Sequence, residues 1–271
     1  MKIWEIMKRI YFIFLSIFFH MYNSQAQNLV PNPSFEEYMD CPADLNTHYK
    51  TPLPKHWITP TKGTVDYFNG CSKFNVGVPN NVMGNTFAGQ GNAYVGLILL
   101  EKPEYKKFDW KKPLQYREYI QCRLIEPLSK DSGYIVSFMY CVAEYSNYLV
   151  NRIGAYLSVE KIGKSNRDPI ELMPTIACDT NIATIIAGAW YEVADTIIAK
   201  GNETYLTIGN FYNDQATNYF IVDHSGVPST RLERIYEDAF AYYYIDNVKV
   251  IQLKNINSFR STNKISVSPM D

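Results

Sequence analysis

Beyond residue 26, short alternating runs of apolar and polar residues dominate the chain. In residues 116–125, Ile120, Cys122 and Leu124 alternate with Arg117, Gln121 and Arg123, the period-two pattern of a half-buried strand. Residues 134–143 are apolar on both phases, as a strand covered on both faces requires. Residues 152–160, 190–199, 203–211 and 240–253 read as further strands. Turn formers separate them, at Lys130-Asp131-Ser132-Gly133, Gly163-Lys164-Ser165-Asn166 and Lys200-Gly201-Asn202. The one helical stretch, residues 229–237, is short. Many short strands at regular spacing predict an all-β fold, an antiparallel β-sandwich of jelly-roll type with long loops, as a single domain over residues 27–253. If residues 116–125 and 134–143 form a hairpin turning near residue 130, position 122 faces about 138.

The last strand changes phase. Tyr243 and Ile245 are apolar at odd positions, and Val248 and Val250 continue the set at even ones. A β-bulge across Asp246-Asn247 restores a single buried face, and bulges re-aim side chains. An acidic residue beside one can hold a hard cation through oxygen. Two other segments read as long loops: 38–90, rich in Pro, Gly, Asn and Thr, and 102–113, with five Lys interleaved with Tyr105, Phe108 and Trp110. The second has the composition of a solvated tip whose aromatics fold back. It also suits single-stranded nucleic acid or anionic glycans.

The N-terminus is a targeting signal. Lys2, Lys8 and Arg9 precede an apolar run at 10–19, and Ser24-Gln25-Ala26 supplies small residues for cleavage after Ala26. The run is shorter than the ~20 residues of a membrane span. Residues 1–26 are thus expected to be a signal peptide, and 254–271 a C-terminal tail. Export leads to an oxidising compartment where disulfides persist. Of the five cysteines, Cys41 and Cys71 both lie in loop sequence and are the expected pair; Cys122, Cys141 and Cys178 are expected to be free thiols. A net charge of −1 gives no basic-patch argument for nucleic acid.

Most catalytic motifs are absent. Beyond the signal the histidines are His48, His56 and His224, with no H-E-x-x-H, and there is no G-x-S-x-G and no P-loop. Asp223-His224-Ser225 juxtaposes triad residue types, but neighbours in sequence do not converge on one atom. Glu36, Glu37, Asp66, Glu118, Glu144, Asp195, Asp214, Asp238 and Asp246 could supply a glycosidase pair, whose carboxyls lie about 5–10 Å apart.

An ordered series of motifs carries a resemblance. It runs from N-L-V-P-N-P-S-F-E-E at 28–37 through Cys41-Pro42, Trp57, D-Y-F-N-G-C at 66–71, G-V-P-N-N at 77–81, G-N-A-Y-V-G at 91–96, R-E-Y-I-Q at 117–121 and Y-L-T-I-G-N-F at 205–211 to Y-Y-Y-I-D-N-V-K-V at 242–250. The series resembles the N-terminal β-sandwich module of exported Bacteroidota envelope proteins, often joined to an OmpA-like domain. More distantly, the two ends resemble galactose-binding-like jelly rolls, including carbohydrate-binding modules. The resemblance implies an exported, periplasmic, outer-membrane-associated or extracellular sandwich. The stretch after Leu253 is too short for an OmpA-like domain, so peptidoglycan anchoring does not carry over. The resemblance also implies a structural calcium, held by Glu36 near the first strand and Asp246 on the last.

The leading expectation is therefore a non-catalytic module that binds a glycan or an envelope component. Its aromatic platforms are expected among Trp57, Tyr67, Trp110, Tyr145, Tyr148 and Tyr212, with Asp214 reading hydroxyls. The loops at 144–149 and 210–214 follow strands, where such sites lie. The alternatives are a protein–protein module of an outer-membrane or surface assembly, marked by an exposed apolar patch, and a carboxylate glycosidase, marked by a cleft with two facing acids.

Overall fold

The computed structural model describes Trp4 and residues 26–46, 52–101, 115–178, 184–222, 224 and 240–254. In chain order its strands are β1 (Trp57–Ile58), β2 (Asp66–Asn69), β3 (Asn80–Asn81), β4 (Gly84–Asn85), β5 (Ala93–Glu101), β6 (Tyr119–Arg123), β7 (Gly133–Val142), β8 (Tyr148–Val150), β9 (Gly154–Ser158), β10 (Ile176–Ala177), β11 (Trp190–Ile198), β12 (Tyr205–Gly209), β13 (Tyr219–Ile221) and β14 (Phe240–Gln252). The six strands expected from alternation form β6, β7, β9, β11, β12 and β14. The expected helix at 229–237, the signal peptide apart from Trp4 and Ala26, and all of the tail beyond Lys254 lie outside the described residues.

The fold is an antiparallel β-sandwich. One five-stranded sheet runs β1-β6-β12-β9-β10 and the other β11-β7-β14-β5-β2. Period-two side chains from both meet in one core: Ile120, Cys122, Leu157, Leu206 and Ile208 from the first, Val95, Leu97, Phe138, Tyr140 and Val193 from the second. Burying each such side chain contributes about 1.5–3 kcal/mol. From β5 onward the long strands β5, β6, β7, β9, β11, β12 and β14 alternate between the sheets. The hairpin expected of 116–125 with 134–143 is therefore replaced by a crossover. β6 pairs with β1 and β12, and β7 with β11 and β14. The link at 124–132 turns across the core instead of along one sheet.

The longest strand, β14, carries the expected bulge. Asp246 faces Met139 and Lys249 faces Ser137, so Asn247 and Val248 share the single position of Phe138. Asn247 takes the left-handed conformation (φ 48°), one that Asn tolerates. The extra residue returns Val248 and Val250 to the core that Tyr243 and Ile245 occupy. β5 escapes the alternation test because both its faces are covered. Val95, Leu97 and Leu99 enter the core, while Tyr94 joins a second cluster with Phe68, Met83, Cys141, Tyr242 and Tyr244. That second cluster lies on the far side of the sheet, under residues 70–92. Asn81 pins it, donating to the Tyr94 hydroxyl (2.9 Å) and accepting from that of Tyr244 (2.8 Å). A side chain at Gly96 would collide with the Tyr242 phenol, so only glycine fits there.

Among the described residues of 38–90 only the short strands β1 to β4 form, and Cys41 and Cys71 are joined as expected, across a sequence separation of 30. Cys122, Cys141 and Cys178 are free, and burial pushes the first two thiols well up, the Cys141 thiol to about 12. On the chain-entropy account a loop of this length contributes about 3–4 kcal/mol. Replacing both Cys41 and Cys71 by Ala is expected to lower the unfolding free energy by about that amount under oxidising conditions and to leave it unchanged relative to wild type in reductant. Denaturant titration in the two buffers checks this.

Candidate functional site

The outward face of the β6 sheet carries three cross-strand rows: Tyr119, Gly209 and Gly154; Gln121, Thr207 and Tyr156; Arg123, Tyr205 and Ser158. The first row is roofed over. The Tyr119 hydroxyl donates to the carbonyl of Asn210 and accepts from the amide of Ile170 (2.9 Å), so one phenol holds both the 159–175 and the 210–217 segments onto the sheet. A side chain at Gly209 would strike the Tyr119 ring, which is why the ring can lie across its partner strand. Phe211 and Ile170 pack on Tyr119, with Tyr156, Ile162 and Tyr212 around them.

Arg117, in the same phase as Tyr119, is fully buried. Its Nη1 donates to the carbonyl of Tyr116 (2.8 Å), and its Nη2 to the carbonyl of Tyr212 (3.2 Å) and to Asp214 Oδ1 (2.7 Å). Asp214 opens a single 3-10 turn, Asp214–Ala216, capped by the Asn213 side chain, which accepts from the Ala216 amide. Asn210 holds the turn from beneath through Leu99 and Thr217. Arg152, two residues after β8, lies over the Tyr212 ring at 4.4 Å and donates from Nε to the Ala216 carbonyl (3.1 Å). One end of the sandwich thus gathers Tyr212, Asp214, Arg117 and Arg152 with amides from Asn151 and Asn213. Sequence reading singled out Tyr212 and Asp214. It missed the two arginines, since a lone Arg after a strand carries no motif and Arg117 sits in what looks like a solvent-facing phase.

The other expected platforms are placed elsewhere, and burial corrects them. Trp57 is buried, donates Nε1 to the Asn32 carbonyl (3.0 Å) and packs on Phe35 at 4.9 Å. Tyr67 is buried with its hydroxyl on the Phe35 carbonyl (2.8 Å). Tyr145 and Tyr148 are buried too, Tyr148 edge-on to Tyr219 at 5.1 Å. These rings face the core because their strand phases point inward or their loops fold back, so none offers a face to a ligand. Trp110 lies outside the described residues. Asp214 accepts from Arg117 and so anchors the corner before it reads any hydroxyl.

Glu36 and Asp246 meet at one loop. Asp246 Oδ2 accepts from the Gln90 amide (2.7 Å) and Oδ1 from that of Asn247 (2.6 Å); Glu36 Oε1 accepts from the Asn92 amide (2.8 Å). Gly91 between them has φ +72°, and a side chain there would collide with the Glu36 carboxylate. Burial, followed by the charge of Glu36, raises the Asp246 carboxyl to about 7 against its hydrogen bonds. Among the described residues no three His, Cys, Asp or Glu side chains gather as a metal site.

Two further buried acids, Asp66 and Glu118, are 7% and 1% exposed. Asp66 accepts from the Asn46 amide and the Tyr242 hydroxyl; Glu118 accepts from Thr64, Tyr116 and the Ile98 amide. Both are pushed up by desolvation, Asp66 also by the charge of Glu118. Their oxygens serve the chain's own donors, so the two acids act as structural links and do not face a substrate.

No protein-family model and no curated protein sequence matches this chain. Among solved structures it is similar to the CBM22-1 xylan-binding domain of a Paenibacillus barcinonensis protein, at 11% identity over 85% of this chain and 97% of that one, with a TM-score of 0.39. It is also similar to the K1 cleaved adhesin domain of Lys-gingipain from Porphyromonas gingivalis W83, at 14% identity over 80% and 94% of the two chains, with a TM-score of 0.35. These likenesses assign no ligand to this chain.

The raised Asp66 pKa has a sign that can be tested. The folded state keeps a proton that the unfolded chain releases near the ordinary Asp value of about 3.9. Stability from this group is therefore complete below that value and falls as pH rises through the folded pKa. Asp66→Asn should reduce the loss of stability between pH 5 and pH 8 relative to wild type, as read by urea unfolding at both values. An unchanged pH slope would show that Asp66 is ionised throughout.

Proposed function

We propose that this chain is an exported, non-catalytic sandwich module that binds glycans. The carrying observation is the corner at the end of the sandwich, where Tyr212, Arg152 and Asp214 stand beside Asn151 and Asn213 on loops anchored by the buried Arg117. Fixed amides, a guanidinium and a carboxylate on a rigid frame suit the hydroxyl-rich edge of a sugar. A binding role is favoured over hydrolysis because the deeply buried acids are committed to internal hydrogen bonds. Export is supported by the Cys41–Cys71 disulfide, which belongs to an oxidising compartment. No helix among the described residues is long and apolar enough to cross a membrane. A second reading, a protein-contact module, has its own observation: Tyr219, Phe220 and Ile221 of β13 are all exposed, Ile221 at 78%.

A glycan array with the mature protein tests the first reading. Expected is binding to a restricted set of glycans, with Tyr212→Ala and Asp214→Asn each weakening it at least about tenfold while the fold is kept, as circular dichroism checks. Retention of full binding by both variants would move the site away from this corner.

The same reading includes a structural calcium. Glu36 and Asp246 fit a hard cation by chemistry, two carboxylates of which one is buried and raised to about 7 for want of countercharge. With no third acidic or imidazole ligand among the described residues, carbonyl oxygens would complete the shell. The ion would supply positive charge between the N-terminal segment and the last strand and add to stability by mass action. Wild type is expected to melt at a higher temperature in calcium than in EDTA, and Asp246→Asn to show no difference. Equal melting of wild type in both would leave Asp246 as a loop anchor alone.

A further inference from the structure

Arg152 closes the ring face of Tyr212 on which a sugar would stack, with its guanidinium 4.4 Å from the ring centre. The ring also packs against the Tyr119, Ile170 and Phe211 cluster. The corner therefore presents a cation where sequence reading expected an aromatic plane. That cation is held in place from two sides, by the ring and by its Nε bond to the Ala216 carbonyl 64 residues away, which leaves both Nη groups to an incoming ligand. Among the described residues no carboxylate pairs with it. Asp214, the acid of this corner, already gives Oδ1 to Arg117. The corner thus holds two guanidinium groups and one carboxylate, which is bonded to Arg117, and Arg117 Nε is itself a buried donor with no acceptor. Asn151, preceding Arg152, has a buried Oδ1 without a partner as well.

We propose that this corner selects glycans bearing an oxyanion, a uronate carboxylate or a sulfate ester, with Arg152 as the selecting residue. The inference rests on the glycan-binding reading and narrows it. A planar guanidinium held by stacking matches two oxygens of one oxyanion at once, and its rigidity reduces the entropy lost on binding. A neutral sugar would leave that fork facing only hydroxyls.

The test uses matched pairs that differ in charge: polygalacturonate against its methyl ester, and dextran sulfate against dextran. Binding of the mature protein is measured by calorimetry at low and at high salt. The expected result is that at least one charged member binds about tenfold or more tightly than its neutral partner at low salt, and that the preference shrinks as salt screens it. Which pair responds separates carboxylate from sulfate. Arg152→Gln should abolish the preference at an unchanged melting temperature, and Arg152→Lys should keep part of it, since the charge stays and the fork is lost. Equal affinity for charged and neutral members, or a preference that survives Arg152→Gln, overturns the proposal while glycan binding stands. Absence of binding to these polymers and across the wider array overturns the glycan reading and this inference together.

Discussion

Two adjacent buried residues of opposite charge type, Arg117 and Glu118, organise the segment that leads into β6. They point to opposite sides, and each is costly to bury without partners. Arg117 draws the 210–217 segment onto the outer face of its sheet through the Tyr212 carbonyl and Asp214. Glu118 binds Thr64 ahead of β2 and the Ile98 amide in β5, tying this segment to the opposite sheet. The corner with Tyr212 and Arg152 exists because the guanidinium beneath it must be satisfied.

Tyrosine is the second organising element. The chain has 22 of them, and most of those placed in the sandwich end on a specific partner. Tyr67 reaches the Phe35 carbonyl, Tyr243 the Val150 carbonyl, Tyr244 the Asn81 amide oxygen and Tyr119 the Asn210 carbonyl. Each phenol reaches a polar partner on another segment and pins it, which a Phe could not do. An abundance of aromatic residues in a chain of this composition thus reflects stapled segments.

Loop anchoring follows the same economy at the other end of β14. The bulge turns Asp246 onto the Gly89–Asn92 loop, where Glu36 meets it from the first segment. The two carboxylates hold one loop between the beginning and the end of the domain, so closure of the sandwich and the electrostatics of this junction are coupled.

Local pattern was sufficient for much of this. Alternation placed six strands and the phase change at Ile245 and Val248 located the bulge, because each depends only on near neighbours in the chain; loop composition paired Cys41 with Cys71 across 30 residues. Three things escaped it. β5 shows no alternation because both its faces are covered, by the core and by residues 70–92. The crossover between β6 and β7 cannot be told from a hairpin, since both need only a short polar link. The burial of Trp57, Tyr67, Tyr145 and Tyr148, and the placement of Arg152 on Tyr212, depend on which distant segments fold over each face. Strand phase and turn chemistry are local properties, whereas coverage is settled only when the second sheet and its loops are in place.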